Sequence, residues 1–240
     1  NDNFVVYLGD NMLSDGIKDY VEEFKNSDSD AEILLNKVDD PSKYGIAILN
    51  EKGEITDLEE KPKNPKSNLA IIGVYFFKPS IFDAIEKLHP GKGGELQLTD
   101  AIKMLLNASN RKVKAHVVNG WWDDTGTAEA VLRANHLTLM KLRHKIEGTI
   151  EDGVSITGIA NIGKGTVVRK GTIIKGPVII GENCSIGPNS YIGPFTSIGN
   201  NTKITNGEIE SSIVLGDCEI NFNEKIVDSL IGKNVKILSE

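Results

Sequence analysis

Four short clusters set acids, a base or a bare stretch of backbone where apolar runs begin or end. Leu8-Gly9-Asp10-Asn11 follows the run Phe4-Val5-Val6-Tyr7-Leu8 and puts a carboxylate where a buried strand stops. Such ends are where open α/β sheets bind ligands, although an Asp after Gly also serves as a plain turn residue. In Gly120-Trp121-Trp122-Asp123-Asp124-Thr125-Gly126-Thr127 two aromatic residues lead into carboxylates at a helix start, with capping by Asp or Thr as the simpler alternative. Glu59-Glu60-Lys61-Pro62 joins acid and base ahead of a residue that halts a strand, and alone it reads as a solvated strand end. Asp40-Pro41-Ser42-Lys43-Tyr44-Gly45 ends in a glycine that either lets backbone approach a ligand or simply turns the chain.

These clusters need a scaffold, and the first 145 residues alternate strand and helix patterns. Strands are predicted at 3–8, 32–38, 46–50, 55–61, 70–78 and 113–118, and helices at 15–25, 81–88, 100–108 and 128–145. Ser14, Ser80 and Thr99 are placed as N-caps, and Ile17, Val21 and Phe24 line one helical face, so an α/β layer is expected. The last helix, entered at Thr127, should bridge to a second domain that begins near Gly148. The chain opens on Asn1 and passes at once into a strand, so it reads as truncated at its amino end.

From Gly148 onward the chain is periodic. Ile150, Ile156, Ile162, Val168, Ile174, Ile180, Ile186, Ile192, Ile198 and Ile204 recur every six residues, and a small or β-branched residue precedes each by two places. A two-residue offset puts both on one face of a strand, so both point inward. Gly at 163, 181, 187, 193 and 199 suggests tight turns that need permissive φ. A fixed six-residue period is the signature of a stacked parallel β-helix. The frame shifts after Ile204 and resumes at Val214, Ile220 and Ile226, with a further shift at Ile231 and Ile237, where looser coils are expected. Cys184 and Cys218 fill small inward slots and read as buried, reduced thiols.

Composition narrows the partners. A net charge of −7 opposes nucleic acid and anionic membrane surfaces, and no apolar run approaches the ~20 residues of a membrane span. A small-molecule partner and a cytoplasmic location are expected.

Taken in this order, with Ser67-Asn68-Leu69-Ala70-Ile71-Ile72-Gly73-Val74-Tyr75-Phe76 and Gly94-Glu95-Leu96-Gln97-Leu98-Thr99-Asp100, the clusters resemble the sugar-1-phosphate nucleotidyltransferases, most closely the long-form glucose-1-phosphate thymidylyltransferases. The resemblance implies part of a Rossmann-like, GT-A-like nucleotidyltransferase domain over residues 1–146, followed by a left-handed parallel β-helix over 147–240. It also implies transfer of a nucleotide from a nucleoside triphosphate, dTTP favoured, to glucose 1-phosphate, giving dTDP-glucose and pyrophosphate. By the same resemblance Asp10 and Asp124 hold Mg²⁺, Gly45, Glu60 and Lys61 surround the sugar phosphate, Ile71 and Tyr75 line the sugar pocket, and Trp122 stands beside the second metal ligand. Ile71, Tyr75 and Trp122 could equally be core. Related solenoids make homo-oligomers, so assembly is the repeat's expected work.

The chain also departs from the family. Short-form relatives carry a basic residue just before Gly-Glu-Leu, where this chain has Gly93, with Lys92 one place earlier. The family's glycine-rich nucleotide loop does not occur in residues 1–120, and Gly91-Lys92-Gly93-Gly94 is no substitute because it follows a helix. The fragment alone is therefore expected not to turn over. Two other readings stand: a UTP-using or bifunctional nucleotidyltransferase/acetyltransferase, and a non-catalytic scaffold. The first wants a solenoid histidine, whereas His89, His116, His136 and His144 all precede the repeats. The second would be marked by loss of ligands that are present.

Overall fold

The structure is a computed structural model that describes residues 2–91 and 94–238. The expectation that Lys92 reaches a phosphate lies outside the described residues. The chain divides into two compact units, Asn1–Asp124 and Thr125–Glu240.

The first unit is a mixed six-stranded sheet with helices on both faces. Its strands are β1 (Phe4–Tyr7), β3 (Ala31–Lys37), β4 (Gly45–Leu49), β5 (Ile55–Glu60), β6 (Leu69–Phe77) and β7 (Val113–Val117). A separate two-stranded ribbon joins β2 (Asn11–Leu13) to β8 (Trp122–Asp124). Helices α1 (Lys18–Lys25), α2 (Ser80–Ile85) and α3 (Leu98–Leu106) complete the unit. The order is β5-β4-β6-β3-β7, with β1 also on β6, and only β3 and β7 run parallel. Alternation along the strands builds two cores, as a period of two requires. Ile33, Leu35, Ile71 and Phe77 pack with Ile81 and Ile102, while Leu34, Ile72, Val74 and Phe76 pack with Phe24.

The register of β3 on β6 shifts between Ile33 and Leu35, which pair with Tyr75 and Ile71. Gly73 therefore sits at an irregularity, a common device for re-aiming side chains near a site.

None of the three expected N-caps caps a helix. Helix α1 begins after Ile17, α2 after Pro79 and α3 after Gln97, none with a side-chain cap. The Ser80 hydroxyl instead donates to Asp30 and the Thr99 hydroxyl to Glu60, tertiary partners that outcompete the local backbone.

In the second unit α4 (Ala128–Leu139) is capped by Thr127, which accepts from the Ala130 N–H at 3.2 Å. It ends earlier than expected, and it is grouped with the coils in the second unit. Asn135 explains this: it donates to the Phe195 carbonyl at 2.9 Å and accepts from Ser197, so the helix lies on the coils. Lys145–Ile146, expected as helix, is already the first solenoid strand.

The solenoid is a left-handed β-helix of about five turns, with parallel sheets of six, five and six short strands. Val168 pairs with Ile186 and Ile186 with Ile204, one coil apart. The inward aliphatic ladder from Ile162 to Ile204 and its small partners Thr166, Thr172, Cys184 and Thr196 are buried, Ile150 and Ile156 are partly so, and both cysteines are free thiols. After Ile204 the coils shorten instead of loosening: Ile209, which the six-residue frame misses, pairs with Ile192 and is fully buried, as is Ile220.

The turn glycines serve a different purpose from the expected one. Of the five, only Gly187 has positive φ; the left-handed corner residues include Asn183, Asn189, Phe195 and Asn201 as well as other glycines such as Gly165 and Gly171. Glycine is needed because coils touch there: a Cβ on Gly163 would lie 2.7 Å from the Gly181 backbone.

Candidate active site

Expected site residues converge on one cleft of the first unit. It encloses about 250 Å³ and is lined by Gly45, Glu60, Lys61, Ile71, Tyr75 and Asp124, together with Leu8, Lys43, Tyr44, Gln97, Leu98 and Thr99. A larger hollow of about 450 Å³, near Ile55 and Lys114, contains none of the expected residues.

Gly45 and Glu60 face each other across the β4–β5 ladder. Glu60 Oε2 accepts from the Thr99 hydroxyl at 2.6 Å, and a Cβ on Gly45 would lie 2.7 Å from that hydroxyl and 3.0 Å from Glu60 Oε2. The glycine is thus required so that this pair can form beside it. Lys61 comes next with φ 40, left-handed backbone for a residue with a Cβ, while its N–H donates to the Tyr44 carbonyl at 3.0 Å. Such conformations cost about 1–3 kcal/mol and cluster at functional sites. Burial, and then the Glu60 charge, pushes the Tyr75 phenol up to about 12, so it remains a neutral donor.

The ribbon sets Asp124 opposite Asn11, the residue that follows Asp10. Asp10 itself does not line the cleft; it accepts from Asn11 Nδ2 at 2.8 Å. Asn11 is buried, and its Oδ1 takes the Trp122 indole N–H at 2.6 Å and the Gly73 N–H at 3.2 Å. A Cβ on Gly73 would collide with Asn11, which is why a glycine interrupts β6. Trp122 also stays out of the cleft, packing edge-on against Tyr44 with ring centres 5.5 Å apart.

Sequence reasoning missed three contributors. Asn11 was visible only as a neighbour of Asp10, Thr99 was read as a cap, and Lys43, a second ammonium at the cleft, was taken as part of a turn. The Glu-Leu-Gln-Leu-Thr segment was the one signal that could have found Thr99.

Comparisons with known proteins agree with this picture. The Nucleotidyl transferase family matches residues 1–141, and the GMPPB C-terminal domain matches residues 174–239. The low-salt glycan biosynthesis nucleotidyltransferase Agl11 of Haloferax volcanii is 46% identical over 237 residues, which are 99% of this chain and 66% of that protein. Glucose-1-phosphate thymidylyltransferase of Streptomyces antibioticus is 42% identical over 238 residues, with the same two shares. The bifunctional protein GlmU of Methanococcus aeolicus is 41% identical over 233 residues, 97% of this chain and 55% of that protein. A solved structure assigned as a glucose-1-phosphate thymidylyltransferase from Bacillus anthracis, in complex with a sucrose, is 40% identical with a TM-score of 0.53, covering 61% of this chain and 58% of that one. The chain thus spans between 55% and 66% of these proteins' length. With its α/β unit matched almost throughout, the chain belongs to the nucleotidyl transferase family.

Proposed function

We propose that this chain carries the sugar-phosphate and metal side of a glucose-1-phosphate thymidylyltransferase. The observation that carries the reading is the single cleft in which Glu60, Lys61, Tyr75 and Asp124 meet around the bare backbone of Gly45. Glu60, oriented by Thr99, accepts sugar hydroxyls, and the Lys61 ammonium, aimed by its left-handed backbone, holds the phosphate. Lys43 offers a second positive charge. Ile71 supplies an apolar wall, and Trp122 braces the site through Asn11.

Asp10 and Asp124 fit Mg²⁺ in donor chemistry, being hard carboxylate oxygens, one just ahead of β2 and the other at the end of its partner β8. Bound there, Mg²⁺ would neutralise phosphate charge. The residues of this chain do the positioning: they orient a phosphate oxygen of glucose 1-phosphate for attack on the α-phosphorus of dTTP, with pyrophosphate leaving. Homo-oligomerisation is assigned to the solenoid, whose three stacked parallel sheets offer flat faces for side-by-side association.

The test is Mg²⁺-dependent pyrophosphate release from glucose 1-phosphate with dTTP, UTP, ATP, CTP or GTP. It is run on the protein at its relatives' length and on the 240-residue chain alone. Turnover concentrated on dTTP at relatives' length, and none from the short chain, is expected. A UTP preference would keep the chemistry and change the product, while no turnover with any nucleotide would leave a scaffold.

A further inference from the structure

On the face of the sheet covered by α1, away from the cleft residues, lies a cluster that the proposed reaction does not use. Glu32 on β3 is completely buried. One of its oxygens lies 2.8 Å from His116 Nε2, on β7, and the other, Oε1, has no hydrogen-bond partner among the described residues. Glu23 on α1 approaches the other ring nitrogen, Nδ1, at 3.9 Å. The ring of Tyr20 packs on the imidazole with centres 5.5 Å apart, holding its plane. Glu23, Glu32 and His116 each offer a ligand atom within 4.8 Å of the others.

A buried carboxylate oxygen without a partner carries a desolvation cost of about 1–3 kcal/mol or more, because nothing replaces the water it lost. Here it is the floor of a cluster with two further metal-type donors, and the rim is open: the Glu23 side chain is 56% exposed and His116 17% exposed. Solvent reaches the site from the α1 side, so an ion has a path in. Glu23 stands at the rim on an exposed helical side chain, whereas Glu32 and His116 are carried on paired strands.

We propose that Glu23, Glu32 and His116 form a binding site for a first-row divalent cation of the Zn²⁺ class, separate from the Asp10/Asp124 pair. One imidazole and two carboxylates suit such an ion, and three protein ligands leave a position for water. The cation takes the place of the proton between His116 Nε2 and Glu32, bonds Glu32 through both oxygens, and takes Glu23 and a water as fourth and fifth donors on its solvent side. Bound there, it ties α1 to β3 and β7, staking the helix that directly follows the ribbon strand bearing Asn11.

The test is a Zn²⁺ titration of the intact chain in excess Mg²⁺, followed by X-ray absorption at the zinc edge. One Zn²⁺ per chain is expected, with imidazole nitrogen and carboxylate oxygen at about 2.0–2.2 Å. Glu23→Gln, on an exposed side chain, and the isosteric Glu32→Gln are each expected to weaken binding at least tenfold. Zn²⁺ affinity unchanged in Glu23→Gln would overturn the proposal even if Glu32→Gln failed to fold. Absence of binding in the unaltered chain, or a spectrum without imidazole, would overturn it too.

Discussion

At the scale of single residues, the cleft is built by small violations of local preference. Lys61 holds left-handed backbone, so the side chain that offers the ammonium also strains the chain. Lys61→Gly is therefore expected to fold more stably than Lys61→Ala by about 1 kcal/mol, since only glycine occupies that region freely. Both variants should lose sugar-phosphate affinity. Urea melts beside glucose 1-phosphate titrations separate the two effects, and equal stability of the variants would contradict the strain argument. Asn11 is the opposite case, a buried side chain that makes three hydrogen bonds, two through its oxygen and one through its amide nitrogen. Asn11→Ala leaves the Gly73 N–H and the Trp122 indole without an acceptor and should cost about 2 kcal/mol. A loss below about 0.5 kcal/mol in urea melts would mean that water replaces the amide easily.

At the scale of elements, periodicity was the legible part. The six strands of the main sheet and the first three helices stand within a few residues of their expected positions, because each carries an apolar pattern long enough to read, while α4 starts where expected and stops six residues short. The three-residue strands β2 and β8 were not legible: Asn-Met-Leu and Trp-Asp-Asp show no alternation, and each is a strand only because the other pairs with it. The same limit hid Thr99, whose partner Glu60 lies far away in sequence. Cleft residues were legible through family resemblance, not through spacing. Inside the solenoid, identical slots differ in a way that no repeat pattern reveals. The Thr166 hydroxyl donates to the Gly181 carbonyl at 2.7 Å and accepts from the Cys184 N–H at 2.9 Å, whereas the buried Thr196 hydroxyl has no partner among the described residues. Thr196→Val should stabilise by about 1 kcal/mol, and Thr166→Val should cost about 1–3 kcal/mol. Thermal melts of the two variants decide it, and a shift in the same direction for both would sink the distinction.

At the scale of the whole molecule, the question is which of many charges governs stability in acid. Asp28, Asp40, Asp57, Asp217 and Glu219 are each held below the usual carboxylate range, first by a side-chain hydrogen bond and then by lysine charge. Asp28, Asp40 and Asp217 are exposed and Asp57 and Glu219 partly so, and such pairs are worth little and fade with salt. Asp30 differs. Burial alone would push its carboxyl up, but the Lys112 backbone N–H, the Ser80 hydroxyl and the Arg111 guanidinium outweigh burial and hold it low. Those bonds join the start of β3 to α2 and to the approach to β7, so they tie distant parts of the first unit. Linkage sets the sign: a carboxyl depressed in the folded state binds its proton later than in the unfolded chain. Its contribution is present above the ordinary Asp value near 4 and is lost as pH falls through the folded value. In high salt the surface pairs drop out, and the remaining acid sensitivity below about pH 4 should belong largely to Asp30. Asp30→Asn is expected to lower stability at pH 7 and to flatten the decline from about pH 5 to about pH 2.5 in concentrated salt. Denaturant melts across that range test this. A decline as steep in the variant as in the parent would move the acid sensitivity to the many surface carboxylates acting together.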